Sequence, residues 1–160
     1  MNQKNYLIIG ASGGIGKAMV KQLIEMSANN KSSGKIFATY HTNQPNFTAD
    51  NLYWLPMDVS DEKSIEQATA DIKQQTTHID WAINCVGLLH TPHNQPEKAL
   101  RQLETDFFLQ NMQINALASL LIAKHIKPLL AKAERSTNAP AIFATISARG
   151  GSISDNQLGG

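Results

Sequence analysis

The stretch Gly10-Ala11-Ser12-Gly13-Gly14-Ile15-Gly16 separates an apolar run, Tyr6-Leu7-Ile8-Ile9, from a segment in which Ile15, Met19, Leu23 and Met26 recur at helical spacing. A short apolar run ended by glycine reads as a buried parallel strand, and the recurrence reads as an amphipathic helix. Between them the chain must turn sharply. Glycine tolerates the backbone angles of such a turn, and without a Cβ it lets a diphosphate approach the backbone at a helix N-terminus, where negative charge is favoured. The spacing is Gly-x3-Gly-x-Gly, not the better-known Gly-x-Gly-x2-Gly. A tight turn with no ligand would use the same residues. In a strand–turn–helix setting the pattern favours nucleotide binding through Gly10, Ser12, Gly13, Gly14, Ile15 and Gly16.

Outward from this turn, strands and helices alternate. Residues 36–40 read as a second strand and 52–57 as a third, separated by a polar loop over 41–51 that includes Pro45. Ser60, before Asp61 and Glu62, is an N-cap candidate with acids in the first turn, and Ile65, Ala68 and Ile72 form the inner face of that helix. Residues 79–86 read as a fourth buried strand, and 88–97, with two prolines and two histidines, as an exposed loop. A long helix is expected over 103–133, kinked or broken near Pro128, and a fifth strand over 141–146. After Ser147 the chain turns polar and glycine-rich. The pattern predicts an α/β fold, a Rossmann-like doubly wound parallel sheet of about five strands. It forms one domain over 1–160 whose C-terminal part is expected to be missing.

At 160 residues, with 42% hydrophobic and 17% charged residues, the chain has the composition of an ordinary globular domain. A net charge of +1 gives no field that would favour nucleic acid or an anionic membrane. The single cysteine, Cys85, rules out an internal disulfide and suits a reducing compartment. The apolar run near the N-terminus is too short for a signal peptide or a membrane span. A cytoplasmic protein without membrane or nucleic-acid partners is expected.

Further landmarks follow the glycine turn. Asp58-Val59 comes directly after the third strand, Asn84-Cys85-Val86-Gly87 ends the fourth, and Asn115 lies within Ile114-Asn115-Ala116 on the long helix. With the Gly-x3-Gly-x-Gly turn, their order resembles the short-chain dehydrogenase/reductase family, and the tail Gly151-Ser152-Ile153 with Asn156 suggests its branch of sniffer-like and C-factor-like carbonyl reductases. The resemblance implies that Asp58 accepts from the adenine amino group while the Val59 amide donates to the ring. It implies that Asn84 and Gly87 match the family's Asn-Asn-Ala-Gly, with Cys85 and Val86 departing from it. It implies that Asn115 holds a water in the proton relay. Ile9 replaces the threonine common before the first glycine. The residue types alone admit blander roles: a helix cap for Asp58, a buried backbone partner for Asn84, a polar helix flank for Asn115.

An acid at the end of the second strand would bond the adenosine ribose and repel the 2′-phosphate of NADP. That strand ends Thr39-Tyr40-His41-Thr42-Asn43, with no acid. His41 falls where NADP-using relatives often carry arginine, and Ser12 can donate nearby, so NADP(H) is favoured over NAD(H). An ordinary loop histidine is the alternative.

The family's proton donor is a tyrosine assisted by a lysine four residues later. The tyrosines here are Tyr6, Tyr40 and Tyr53, followed at that spacing by Gly10, Gln44 and Met57, so the pair is absent from the 160 residues. Where the family commonly has Ser-Ser after the fifth strand, this chain reads Ser147-Ala148; Ser147 is the nearest candidate for the substrate-bonding serine and Ser152 the second. His90 and His93, even with Cys85, make no complete metal-ligand set. A strand cysteine beside Val86 reads as inert, and the small basic cluster Lys124, His125 and Lys127 suits a helix C-terminal end.

The leading expectation is an NADP(H)-dependent reductase or dehydrogenase of a small carbonyl or alcohol, homo-oligomeric when intact. The chain alone should bind cofactor at best, and Phe107, Phe108 and Met112 should be exposed by the missing segment. The alternatives are a dinucleotide-binding or signalling module without chemistry, and an unrelated flavin- or nucleoside-binding sheet.

Overall fold

A computed structural model describes residues 4–29, 34–137 and 140–148. Strands β1 (Tyr6–Ile9), β2 (Ile36–Tyr40), β3 (Leu52–Pro56), β4 (Trp81–Asn84) and β5 (Ile142–Thr145) pair in parallel in the order β3-β2-β1-β4-β5. The order reverses between β1 and β4, because the chain returns past β1 after β3. Helices α1 (Gly14–Asn29), α2 (Glu62–Gln75), α3 (Thr105–Met112) and α4 (Ala118–Thr137) make the crossovers, with a short 3-10 turn at Leu100–Gln102 before α3.

Strand alternation divides the core. Leu7, Ile9 and Phe37 point to one face and pack with Ile65, Ala68 and Ile72 of α2 and with Ala118, Ile122, Ile126 and Leu129 of α4. Ile8, Ile36 and Ala38 point to the other and meet Val20 of α1. Two buried faces explain why β1 and β2 are apolar at nearly every position. At the amino ends of the strands, Asn5 closes the sheet. Its N–H donates to Asp80 Oδ2 at 2.7 Å, and its side-chain oxygen accepts from the Lys35 N–H at 2.9 Å.

The expected α/β sheet is present, with shifts at several elements. The buried stripe of α1 is Gly16 and Val20, with Leu23 and Ile24 partly buried, while Ile15 and Met26 are half exposed. Counting apolar side chains misplaces the stripe because the closest contact is made by a glycine. The cap of α2 is Asp61, whose carboxylate accepts from the Lys63 N–H at 3.0 Å, and not Ser60. The expected long helix is two helices joined by a π turn at Gln113–Leu117. α4 runs through Pro128, which lies on the solvent side, where a carbonyl deprived of its partner can be hydrated.

The segment Thr105–Lys132 is long and apolar enough to cross a membrane by length and composition, with mean hydropathy 1.3. One side of it is seated on the sheet through Ala118, Ile122, Ile126 and Leu129. Phe107, expected at the surface, is buried, whereas Phe108, Leu109, Met112, Leu117 and Leu120 remain exposed along α3 and α4. Contiguous apolar surface of this kind promotes association. The 160-residue chain is expected to bind an apolar dye and to scatter light as more than a monomer, and Leu109→Lys with Leu120→Lys should lower both signals. A monomer that binds no dye would contradict this.

Candidate cofactor site

The site is built at the carboxyl ends of β1 and β4, where the strand order reverses. Gly10 leaves β1 with φ of 76°, in the left-handed region, and a Cβ there would stand 2.7 Å from Val86 Cγ2. Gly16 is more constrained: its Cβ would lie 2.5 Å from the Gly10 carbonyl oxygen and 2.9 Å from Ala11 Cα. These are backbone atoms and cannot step aside. The Gly13 carbonyl accepts from the Lys17 N–H at 2.9 Å, so Gly13 caps α1, and the amides of Gly14, Ile15 and Gly16 have no helical carbonyl of their own.

A Cβ on Gly14 would meet nothing within 4 Å, and Ser12, Gly13, Gly14 and Ile15 are exposed. The bend is therefore open, and the N-terminal end of the helix faces it. The arrangement fits a diphosphate: unpaired N–H donors, the positive end of a helix dipole, and no side chain in the way.

Sequence reasoning missed the residue that holds the bend. Thr39, buried at the end of β2, accepts the Gly10 N–H on Oγ1 at 3.1 Å and the Ala11 N–H on its carbonyl at 2.7 Å. A buried threonine inside an apolar strand was the available signal.

Two residues beyond Thr39, His41 is exposed, and its Nε2 stands 3.5 Å from Asp58 Oδ2. Asp58 is fixed from the other side. Its Oδ1 accepts from the Ser60 hydroxyl at 2.7 Å and the Ser60 N–H at 2.9 Å, and its own N–H donates to Ser64 Oγ at 2.9 Å. The Ser60 hydroxyl chiefly holds the Asp58 carboxyl below the usual aspartate range, overcoming the opposing effect of burial, with lesser help from the Ser60 amide and the nearby His41. Val59 turns its side chain into the core.

Asn84 is buried, donating from Nδ2 to Ser119 Oγ at 3.0 Å and accepting the Val86 N–H on Oδ1 at 3.1 Å. Ser119 Oγ lies 3.2 Å from Thr145 Oγ1, so a polar chain runs from β4 through α4 to β5. Asn115 sits in the π turn and brackets one residue of the opposite loop. Its Oδ1 accepts the Leu88 N–H at 2.7 Å and its Nδ2 donates to the Leu88 carbonyl at 2.6 Å. Gly87 is adjacent: a Cβ there would lie 3.6 Å from Asn115 Oδ1.

Ser147 is exposed just past β5, and Ser152 lies outside the described residues. His90 and His93 are exposed loop residues, and among the described residues no group of three or more His, Cys, Asp or Glu is placed to hold a metal. Burial pushes the Cys85 thiol up, and its Sγ rests 3.8 Å from Met19 Sδ, an apolar environment that keeps it protonated. Lys124 and His125 both reach Glu62 Oε1, at 2.7 and 2.9 Å, fastening α4 to the start of α2.

The family model for short chain dehydrogenase matches residues 4–152. The chain belongs to that family. Among curated proteins, the chain is 24% identical over 157 residues to a short chain dehydrogenase/reductase of Colletotrichum higginsianum, covering 94% of this chain and 37% of that protein. It is 26% identical over 91 residues to an uncharacterized oxidoreductase of Staphylococcus haemolyticus, covering 57% of this chain and 39% of that one. The chain thus spans well under half the length of these curated relatives.

Solved structures share the fold. The carbonyl reductase Sniffer of D. melanogaster superposes with a TM-score of 0.85 at 22% identity, covering 99% of this chain and 67% of that one. An NADPH-bound carbonyl reductase from chicken fatty liver gives 0.81 at 23%, covering 99% and 62%. An NADH-dependent reductase of alginate metabolism gives 0.75 at 20%, covering 99% and 62%. The last two are described with NADPH and with NADH, so both kinds of nicotinamide dinucleotide occur among the neighbours.

The geometry of the bend and of Asp58 carries two outcomes. In urea denaturation, Gly16→Ala should cost roughly 2 kcal/mol or more through backbone overlap, whereas Gly14→Ala should stay within about 1 kcal/mol of the parent. Equal losses at the two glycines would refute the close approach. Because the folded Asp58 carboxyl is depressed, the stability it contributes is present above the ordinary aspartate range and is lost as pH falls through its folded value. Ser60→Ala should therefore be less stable than the parent at neutral pH, with the difference closing below about pH 4. A difference that persists unchanged in acid would show that Ser60 acts independently of Asp58.

Proposed function

We propose that the chain is the cofactor-binding part of an oxidoreductase that interconverts a small carbonyl compound and its alcohol, taking NADP(H) in preference to NAD(H). The open glycine bend at the start of α1 supports this most directly, because its unpaired amides and vacant Gly14 surface suit a diphosphate. In this reading Gly10 and Gly16 let the bend close, while Ser12, Gly13, Gly14 and Ile15 surround the diphosphate. Asp58 and the Val59 amide receive the adenine, and His41 faces the 2′-phosphate. Asn84 and Gly87 support the far side. Asn115, with both ends of its amide on Leu88, is a positioning residue for the loop beside the site.

Bound nicotinamide would supply or take the hydride, and the protein must then place a proton at the substrate oxygen. Ser147 is the residue of this chain proposed to bond that oxygen. No tyrosine here has a lysine four residues on, so the 160 residues alone are proposed to bind dinucleotide without appreciable turnover. The intact enzyme would be a cytoplasmic homo-oligomer, related to the Sniffer-like branch, that acts on a small molecule and uses no nucleic-acid or membrane partner. A second reading, a dinucleotide-binding module without chemistry, is favoured by Ala148 standing where the family commonly has its second serine.

Calorimetric titration of the 160-residue chain should give measurable NADPH binding, tighter than NADH. Gly14→Val should abolish it while leaving the circular dichroism spectrum intact. Unmeasurable binding of both dinucleotides would overturn the proposal. Steady carbonyl reduction by the pure chain would overturn the claim of inactivity.

A further inference from the structure

Ser60 is bonded through its hydroxyl, its N–H and its carbonyl. The first two go to Asp58 Oδ1, at 2.7 and 2.9 Å, and the carbonyl accepts from Nε2 of Gln113 at 2.7 Å, a side chain 53 positions away. Gln113 is exposed, so water could serve its amide and burial does not force this bond. Its own carbonyl accepts the Ala118 N–H and so closes the π turn Gln113–Leu117. Two residues on, the same turn carries Asn115, clamped on Leu88 at 2.7 and 2.6 Å and braced by Asn111 Oδ1 at 3.3 Å. One turn of helix thus holds two loops, one after β3 and one after β4. In the sheet β2 and β1 stand between those strands, a gap of roughly 14 Å at about 4.8 Å per strand step. No direct strand pairing sets the distance between the two loops.

A π turn takes in one residue more than an α turn. One residue of helix is about 100° of rotation, so an uninterrupted α-helix continued back from α4 would swing Gln113 away from Ser60. Rotation of α4 cannot compensate. Ala118, Ile122, Ile126 and Leu129 seat it on the sheet, and Lys124 and His125 tie it to Glu62. We propose that the π turn is a brace between the two loops, in which Gln113 is a positioning residue that sets the separation of the Asp58–Ser60 loop from the Leu88 loop. The inference rests on the cofactor reading above and deepens it. In that reading the adenine lies against the first loop and the far part of the dinucleotide reaches the second. A ligand that must touch both loops is sensitive to their separation, whereas a fragment that touches only the first is not.

The test compares NADPH with adenosine 2′,5′-bisphosphate, which has the adenosine and its two phosphates but no nicotinamide half. Kd for each is measured by calorimetric titration of the 160-residue chain, of Gln113→Glu and Gln113→Leu, which have no side-chain donor, and of Gln113→Lys, which keeps one. In the two variants without a donor, the ratio of the bisphosphate to the NADPH constant should fall by about fivefold, the worth of one such hydrogen bond. In Gln113→Lys it should stay within about twofold of the parent. Both ligands carry the same adenosine phosphates, so a change of charge at position 113 largely cancels in the ratio. In the free chain, the Leu88 N–H resonance should move in Gln113→Glu and Gln113→Leu and stay near its parent position in Gln113→Lys. A ratio that the loss of the donor leaves unchanged overturns the brace and leaves the cofactor reading intact, whether both ligands weaken equally or neither does. If neither ligand binds the parent chain, the cofactor reading fails, and the Leu88 resonance alone then decides the brace: unmoved without the donor, it overturns it.

Discussion

The contact between Gly16 and the backbone of Gly10 and Ala11 governs everything built on it. With a Cβ at position 16 lying 2.5 Å from a carbonyl oxygen, any side chain would drive α1 away from the end of β1. Displacing the helix would carry the first-turn amides away from the bend. Thr39 completes the constraint from the neighbouring strand, taking the Gly10 and Ala11 amides with its hydroxyl and carbonyl. The donors left over are those of the first helical turn, where Gly14 and Ile15 are exposed and Gly16 is buried. A bend held this tightly costs conformational freedom. Hydrogen bonds and close backbone contacts fix it in advance, so little ordering would oppose the proposed binding.

The remainder of the site is arranged around that bend by sheet order. Because β4 follows β1 in the sheet, the Asn84–Gly87 segment emerges beside the glycines, and Val86 packs where Gly10 has no side chain. Because β2 lies on the other side, His41 emerges near Asp58 at the end of β3. Polar links tie these strand ends together: Asn84 to Ser119 and Thr145 across one side, Thr39 to the bend on the other. The opposite end of the sheet is closed by Asn5 and Asp80, far in sequence from one another and joined through backbone and carboxylate. The proposed binding site and the structural closure therefore occupy opposite ends of the same strands.

Strand alternation and the glycine spacing made the sheet and the bend legible in the sequence, since both are local patterns with a fixed period. The long helix was legible only as apolar length. Within its π turn Asn115 reaches across to Leu88, a contact 27 positions away that no periodicity reveals. The inner stripe of α1 was misplaced because a glycine contact outweighed the larger side chains at Ile15 and Met26. Ser60 was read as the cap of α2, but its hydroxyl is spent on Asp58, and Asp61 takes the cap. Thr39 and Ser119 act through partners from another strand or helix, and a lone polar position in an apolar segment is a signal that does not say which partner it meets.

The account's central claim is that the first-turn amides of α1 receive a diphosphate. Backbone amide chemical shifts recorded during NADPH addition test it most directly. The account predicts the largest changes at Gly13, Gly14, Ile15 and Gly16, with smaller ones at Asp58 and Val59 and none at the Asn5–Asp80 end of the sheet. Saturable binding that leaves residues 13–16 unshifted would place the dinucleotide elsewhere and contradict it.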